Sequence, residues 1–232
     1  MTTSSAYTVL APGIDLVSEV VRKKSRFRAV MRRVRTIEDA QSFVDQLRTK
    51  HPSARHHCSA WVIGHDRGTL RANDDGEPSG TAGAPILGAV TRADMPGGRA
   101  DLSDVVVVVM RWFGGTLLGT GGLVSAYSDS AVAVITEAHA QQALRMRQPM
   151  RHFRLPAPVG DAGRWEYELR SAHITVHGTD YTSSAGAATL ELAVADDQAS
   201  LSRLHTLTAT LSNGTAELEP YGTDWHDAVI AS

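Results

Sequence analysis

Apolar and polar positions alternate along SRFRAVMRRV, residues 25–34. Phe27, Ala29 and Met31 fall on one side, Arg26, Arg28 and Arg32 on the other, as in a half-buried strand. The period then lengthens. Thr36 offers an N-cap, Glu38 and Asp39 give an acidic first turn, and Ile37, Ala40, Phe43, Val44 and Leu47 recur at helical spacing until Pro52. HHCSAWVIG (56–64) returns to period two, with Cys58, Ala60 and Val62 opposite Ser59, Trp61 and Ile63. Ile86, Leu87, Ala89 and Val90 predict a short helix with Pro85 in its first turn. The run DVVVVVM (104–110) has no alternation and predicts a central strand covered on both faces. Beyond glycines 114, 115, 119, 121 and 122, the spacing of Leu123, Tyr127, Ala131, Val134 and Ala138 predicts a long amphipathic helix.

RMRQP (145–149) reads as a short linker. After it the pattern predicts strand 152–156, helix 161–171, strand 174–182, strand 188–194, helix 198–211 and strand 215–220. Strand-helix-strand-strand-helix-strand is the ferredoxin-like order. The expectation is an α+β protein of two domains, 1–147 and 148–222, with 223–232 as a tail.

Composition is that of a soluble globular chain: 42% apolar and 21% charged over 232 residues. The opening MTTSSAYTVLAPG has no basic segment followed by an apolar run, and Val105–Met110 is far too short to span a bilayer. A single cysteine, Cys58, excludes an internal disulfide and fits a reducing compartment. These features predict a cytoplasmic protein with no membrane partner, and they set no oligomeric state. The net charge of −2 conceals an asymmetry: 18 Lys+Arg stand against 14 Asp+Glu in 1–147, and 5 against 11 in 148–232. Eight basic residues lie between Arg22 and Arg35. Such a density attracts polyanions even on an acidic protein, or it is a solvated strand face.

Three stretches invite chemistry. His56, His57 and Cys58 suggest zinc or a thiol nucleophile, but no second cluster completes a metal site, and a free cysteine on a strand is usually a small buried hydrophobe. The expectation is no metal and no cofactor. FGGTLLGTGGL (113–123) joins the buried strand to a helix, yet it lacks the Lys-Ser/Thr of a phosphate loop and the third glycine of a dinucleotide fold. Gly115, Gly119, Gly121 and Gly122 either expose amides to an anion or only supply positive φ. RANDDGEPSGTAGAP (71–85) could hold a metal, act as acid and base, cradle a phosphate, or be an elaborate turn. Asp75-Gly76 and Pro78-Ser79-Gly80 are turn signals, and Asp, Ser and Thr side chains commonly satisfy local N–H groups in such segments.

KKSRF (23–27), HHCSAW (56–61), DDGEPSGTAGAPIL (74–87) and VVVMRWFGGTLLGTGGLVSAY (107–127) together resemble the YigZ/IMPACT family. Trp112 stands where Tyr or Phe is usual, and Ser125 where Arg is common. The resemblance implies an N-terminal α/β domain like one in a small-subunit ribosomal protein and like the fourth domain of the translocating elongation factor. It implies a C-terminal ferredoxin-like domain similar to that factor's fifth. The eukaryotic relative is a binding protein that restrains a stress kinase of translation initiation. A translation-associated protein that binds RNA, the ribosome or a translation-regulating protein is therefore expected, more a binding module than an enzyme.

On this reading Asp74, Asp75, Glu77, Ser79, Thr81 and Arg111 form a recognition loop, with one carboxylate pairing Arg111 or capping the glycine turn. The alternative is a small hydrolase or phosphate-handling enzyme using Asp75 or Glu77 with Arg111 and the amides of 119–122. Lys23, Lys24, Arg26, Arg28 and Arg32 are the candidate nucleic-acid-binding residues, with Trp61 as the nearest base-stacking candidate. The competing role for Arg28 and Arg32 is pairing with helix carboxylates such as Glu38.

Overall fold

The computed structural model describes residues 6–184 and 186–230. The elements are β1 (Tyr7–Leu10), β2 (Asp15–Arg22), β3 (Ser25–Arg33), α1 (Ile37–Lys50), β4 (His56–Ile63), β5 (Thr69–Asn73), α2 (Gly83–Arg92), β6 (Val105–Trp112) and α3 (Gly119–Ala140). There follow β7 (Leu144–Pro158), α4 (Ala162–Ser171), β8 (Thr175–Ser184), β9 (Ala187–Ala195), α5 (Gln198–Ser212) and β10 (Glu219–Val229). This is a mixed α+β chain of five helices and two sheets among the described residues. No helix is long and apolar enough to cross a membrane. Two compact units divide the described residues, one of 6–147 together with 227–230, the other from Gln148 to His226.

In the first unit β2-β3-β6-β4-β5 form an antiparallel sheet with β6 at its centre. The valine run explains itself here. Val105, Val107 and Val109 pack with Phe27, Ala29, Met31 and the buried faces of α2 and α3. Val106, Val108 and Met110 face the opposite way and pack with Phe43, Val44 and Leu47 of α1 and with Trp61. Helices on both faces leave β6 no solvent side, so no polar residue interrupts it from Val105 to Met110. α1 starts where the sequence predicts, with the Thr36 hydroxyl accepting from the Asp39 N–H at 3.0 Å.

In the second unit Met150–Pro158 of β7 pairs with β9, β9 pairs with β8, and β10 pairs with β7. One face of these strands packs on α4 and α5 through Phe153, Leu155, Trp165, Leu169, Leu190 and Leu204.

Four features depart from the sequence pattern. β1, β2 and β5 have no counterpart in it: β1 is only four residues long, and β2 and β5 are edge strands exposed along most of their length. RMRQP is no linker but part of the uninterrupted strand β7, whose first residues pair with β1. The last strand runs over 219–229 instead of 215–220. The segment 223–232, read as a tail, therefore supplies strand through Val229, and its Asp227 bonds Arg33 at 2.5 Å and Arg147 at 2.8 Å. Because β10 is exposed along most of its length, its apolar pattern carries no strand signal.

Candidate nucleic-acid interface and the acidic loop

The three carboxylates of the acidic loop each have a separate task. Asp74 accepts from the backbone N–H groups of Gly80 at 2.8 Å, Ala82 at 3.0 Å and Gly83 at 2.8 Å. It caps α2 from outside the helix, because Ala82 at the N-cap position has no side-chain acceptor. Burial opposes ionisation of Asp74, but these three donors outweigh it and hold the carboxyl below its usual range. Gly83 permits this approach: a Cβ there would stand 2.5 Å from the Asn73 nitrogen.

Asp75 adopts a left-handed backbone conformation, φ 43°. Its carboxylate takes Arg48 of α1 at 2.8 and 3.2 Å and the His57 N–H at 2.6 Å. It too lies below the usual carboxyl range, burial being outweighed by Arg48 and His57. Glu77 points inward. Its Oε1 accepts from Arg111 Nη1 at 2.6 Å and from the Tyr127 hydroxyl at 2.8 Å. Nε2 of His56 stands 3.9 Å from the same oxygen. His56 Nδ1 lies 2.9 Å from the Asp75 carbonyl, which can only accept, so Nδ1 is the donor of this bond. Thr81 bonds the Pro78 carbonyl at 2.6 Å, and Ser79 is exposed.

The structure thus brings Glu77 to Arg111 and sends Asp74 to α2; neither caps the glycine turn. At that turn Gly115 and Gly119 have φ of 86° and 75°, and Gly121 and Gly122 lie in the first turn of α3. Leu118 gives α3 no side-chain cap. Cys58 is fully buried, and burial pushes its thiol well up, which makes it a poor nucleophile or ligand. Among the described residues no three His, Cys, Asp or Glu side chains gather as a metal site would require.

The basic residues divide into two groups. Lys23 and Lys24 form the two-residue turn between β2 and β3 with φ of 44° and 65°, positions where hairpins favour Asn-Gly. Gly114 closes on this turn: a Cβ there would fall 2.0 Å from the Lys24 carbonyl carbon, and its N–H donates to Ser25 Oγ at 3.1 Å. Both lysines are exposed, Arg28 is half-buried, and Arg26 is exposed with its guanidinium 4.2 Å over the Trp112 ring. Lys50 and His51, at the end of α1, join this group.

The second group is engaged. Arg32 forms two 2.6 Å bonds to Asp15, stacks on Phe43 at 4.0 Å and bonds Gln46. Arg33 is held by Asp227. The partner of Arg32 is therefore a carboxylate of the adjacent strand, not Glu38. Trp61 is 2% exposed and packs in the core, so it offers no face to a base. Trp112 is a partly exposed indole beside the basic residues instead, its Nε1 donating to Ser53 Oγ at 3.1 Å and its ring edge-on to His51. Its signal in the sequence is its place at the end of the buried run, opposite Arg26 across the strand pair.

Residues 23–135 match the family described as the Impact N-terminal domain. The chain is 37% identical to the IMPACT family member YvyE of Bacillus subtilis, over 72% of its own length and 71% of that protein's. It is 38% identical to the IMPACT family member YigZ of Escherichia coli, over 65% of this chain and 68% of the other. A solved structure titled as that of a hypothetical protein is 30% identical and superposes with a TM-score of 0.54, covering 94% of this chain and 98% of the other.

Proposed function

Because the chain belongs to the IMPACT family, we propose that it is a non-enzymatic binding protein of the translation apparatus, acting in the cytoplasm and docking on RNA or an RNA-lined ribosomal surface. The observation that carries this reading is the basic end of the first unit. Lys23, Lys24, Arg26 and Arg28 cluster there, beside Trp112, Lys50 and His51. Phosphate contacts supply affinity to such a surface and stacking surfaces add to it.

Hydrolysis by the acidic loop is the weaker alternative. Asp74, Asp75 and Glu77 already hold backbone N–H groups, Arg48, Arg111 and Tyr127. Carboxylates engaged in this way serve the fold first, Asp74 and Asp75 by holding backbone N–H groups and Arg48, Glu77 by neutralising a buried arginine. On the same proposal 74–81 with Arg111 is the scaffold that positions β4, β6, α2 and α3, and an anion would meet Gly115, Gly119, Gly121 and Gly122 only as an accessory contact. Two folding units, one ending near Arg147 and the next resembling a ferredoxin-like domain, belong to the proposal as well. Its support is the strand order β10-β7-β9-β8, in which the unit's fourth strand lies beside its first and its third lies between the first and second.

The test replaces Lys23, Lys24 and Arg28 by Ala and measures binding to a single-stranded oligoribonucleotide and to ribosomal subunits at several salt concentrations. Each phosphate contact contributes about −0.7 to the log–log salt slope, so loss of three flattens it by about 2. An unchanged slope and affinity in a folded variant would reject this surface.

A further inference from the structure

Trp112 ends β6 with its ring half-buried against the α1-side core. The bond from Nε1 to Ser53 Oγ fixes the ring's rotation, and the His51 ring stands edge-on to it with centroids 6.1 Å apart. Arg26 sits directly opposite Trp112 in the β3–β6 register and lays its guanidinium carbon 4.2 Å over the indole centroid. Its Nε edge faces Glu19 at 3.7 Å, while 48% of the side chain remains exposed. A cation held against an aromatic face on one side and a carboxylate at one edge has lost much of its freedom before any ligand arrives.

A phosphate seeks the N–H edge of a guanidinium, and the Nε edge of Arg26 already turns to Glu19. The Nη groups stay open to a phosphate, and beside them the face turned away from Trp112 is a flat, weakly hydrated surface that stacks well on another flat group. We propose that Arg26, backed by Trp112, is a base-stacking platform that receives an unpaired base of single-stranded RNA. The phosphates on either side meet Arg28 and the lysines of the β2–β3 turn. The inference rests on the RNA-binding reading and deepens it by naming the ligand as single-stranded. In a duplex the base faces are consumed in the helical stack; only unpaired bases present them to a protein.

The test uses the full chain and fluorescence anisotropy with three labelled probes: an oligouridylate of about a dozen nucleotides, the same backbone without bases, and a duplex of equal length. Wild type is expected to bind the base-bearing strand about tenfold tighter than the abasic strand, within what one stacked base contributes. Arg26→Lys keeps the charge but removes the plane, and abolishes this preference while leaving abasic binding and the salt slope in place. Trp112→Leu does the same, and Trp112→Phe retains the preference. Should Trp112→Leu fail to fold, Arg26→Lys at the exposed surface decides alone. Equal affinity of wild type for base-bearing and abasic strands, a preference that survives Arg26→Lys, or tightest binding to the duplex would each overturn the platform and leave the RNA-binding reading standing. Absence of binding to all three probes overturns both.

Discussion

Nη1 of Arg111 lies 2.6 Å from Oε1 of Glu77, and both side chains are more than nine-tenths buried. One comes from the end of the central strand and the other from the acidic loop, and the Tyr127 hydroxyl of α3 shares the same oxygen. A buried pair contributes little when compared with apolar residues of its size, yet losing one member strands the other charge. Glu77→Ala is therefore expected to cost about 3 kcal/mol or more in urea unfolding. Glu77→Ala combined with Arg111→Met should cost clearly less than the two single losses added. Strict additivity would show that the pair is not coupled.

Asp227 is predicted to stabilise the first unit although it stands far along the chain. Arg33, whose side chain is 5% exposed, has this carboxylate as its partner, and Arg147 shares it. Asp227→Asn should lower stability by about 2 kcal/mol, the worth of a hydrogen bond to a charged group. A fragment ending at Arg147 lacks Asp227 altogether and should unfold at lower urea than the same unit in the full chain. Equal midpoints would mean that Arg33 finds another partner.

The pattern along the chain reads best where burial is complete. Five valines predict a central strand because both faces of β6 are covered, whereas β2, β5 and β10 are largely exposed and give periodicity nothing to register. Residues 145–149 look like a linker for the same reason, since Arg145–Gln148 are only half-buried within β7. At the site, the sequence reveals the cluster of carboxylates and the pairing of one of them with Arg111, but not the partners of Asp74 and Asp75. Arg48, His57 N–H and the α2 amides are brought to them only by tertiary folding. Which arginines remain available is likewise invisible in a run of eight basic residues, because Asp15 and Asp227 claim Arg32 and Arg33 from other strands.

Capping of α2 by Asp74 gives a signed pH dependence. Its folded pKa is lowered, by backbone donors that overcome burial. The stabilisation is fully present above the unfolded carboxyl value of about 3.9 and is lost as pH falls through the lower folded value. Asp74→Asn, which keeps one acceptor oxygen, should lower stability at neutral pH by about 1 kcal/mol, as loss of a helix cap does. Its stability should then fall less than that of wild type on acidification from pH 6 towards pH 2. Parallel curves for the two proteins would assign acid sensitivity to other carboxylates.

His51 supplies a pH-linked test of the basic end. In the free protein its pKa is lowered, first by burial and then by the fields of Arg28, Lys50 and Arg26. These cations reach it from β3 and from the last turn of its own helix, while Trp112 of β6 packs against its ring. An RNA strand neutralising those charges removes part of the field that opposes protonation and brings phosphates beside the ring, so the His51 pKa is expected to rise on binding. Binding then takes up a proton, and by linkage a fall in pH strengthens binding. Affinity should be flat well above the bound-state value, rise as pH falls through it, and level off below the lower free value, which itself lies under 6.5. A single group limits the steepest change to about tenfold per pH unit. Measured at fixed ionic strength, the rise should vanish in His51→Gln while the salt slope persists. Affinity independent of pH in wild type, with the slope still present, would place the RNA away from His51 and Trp112.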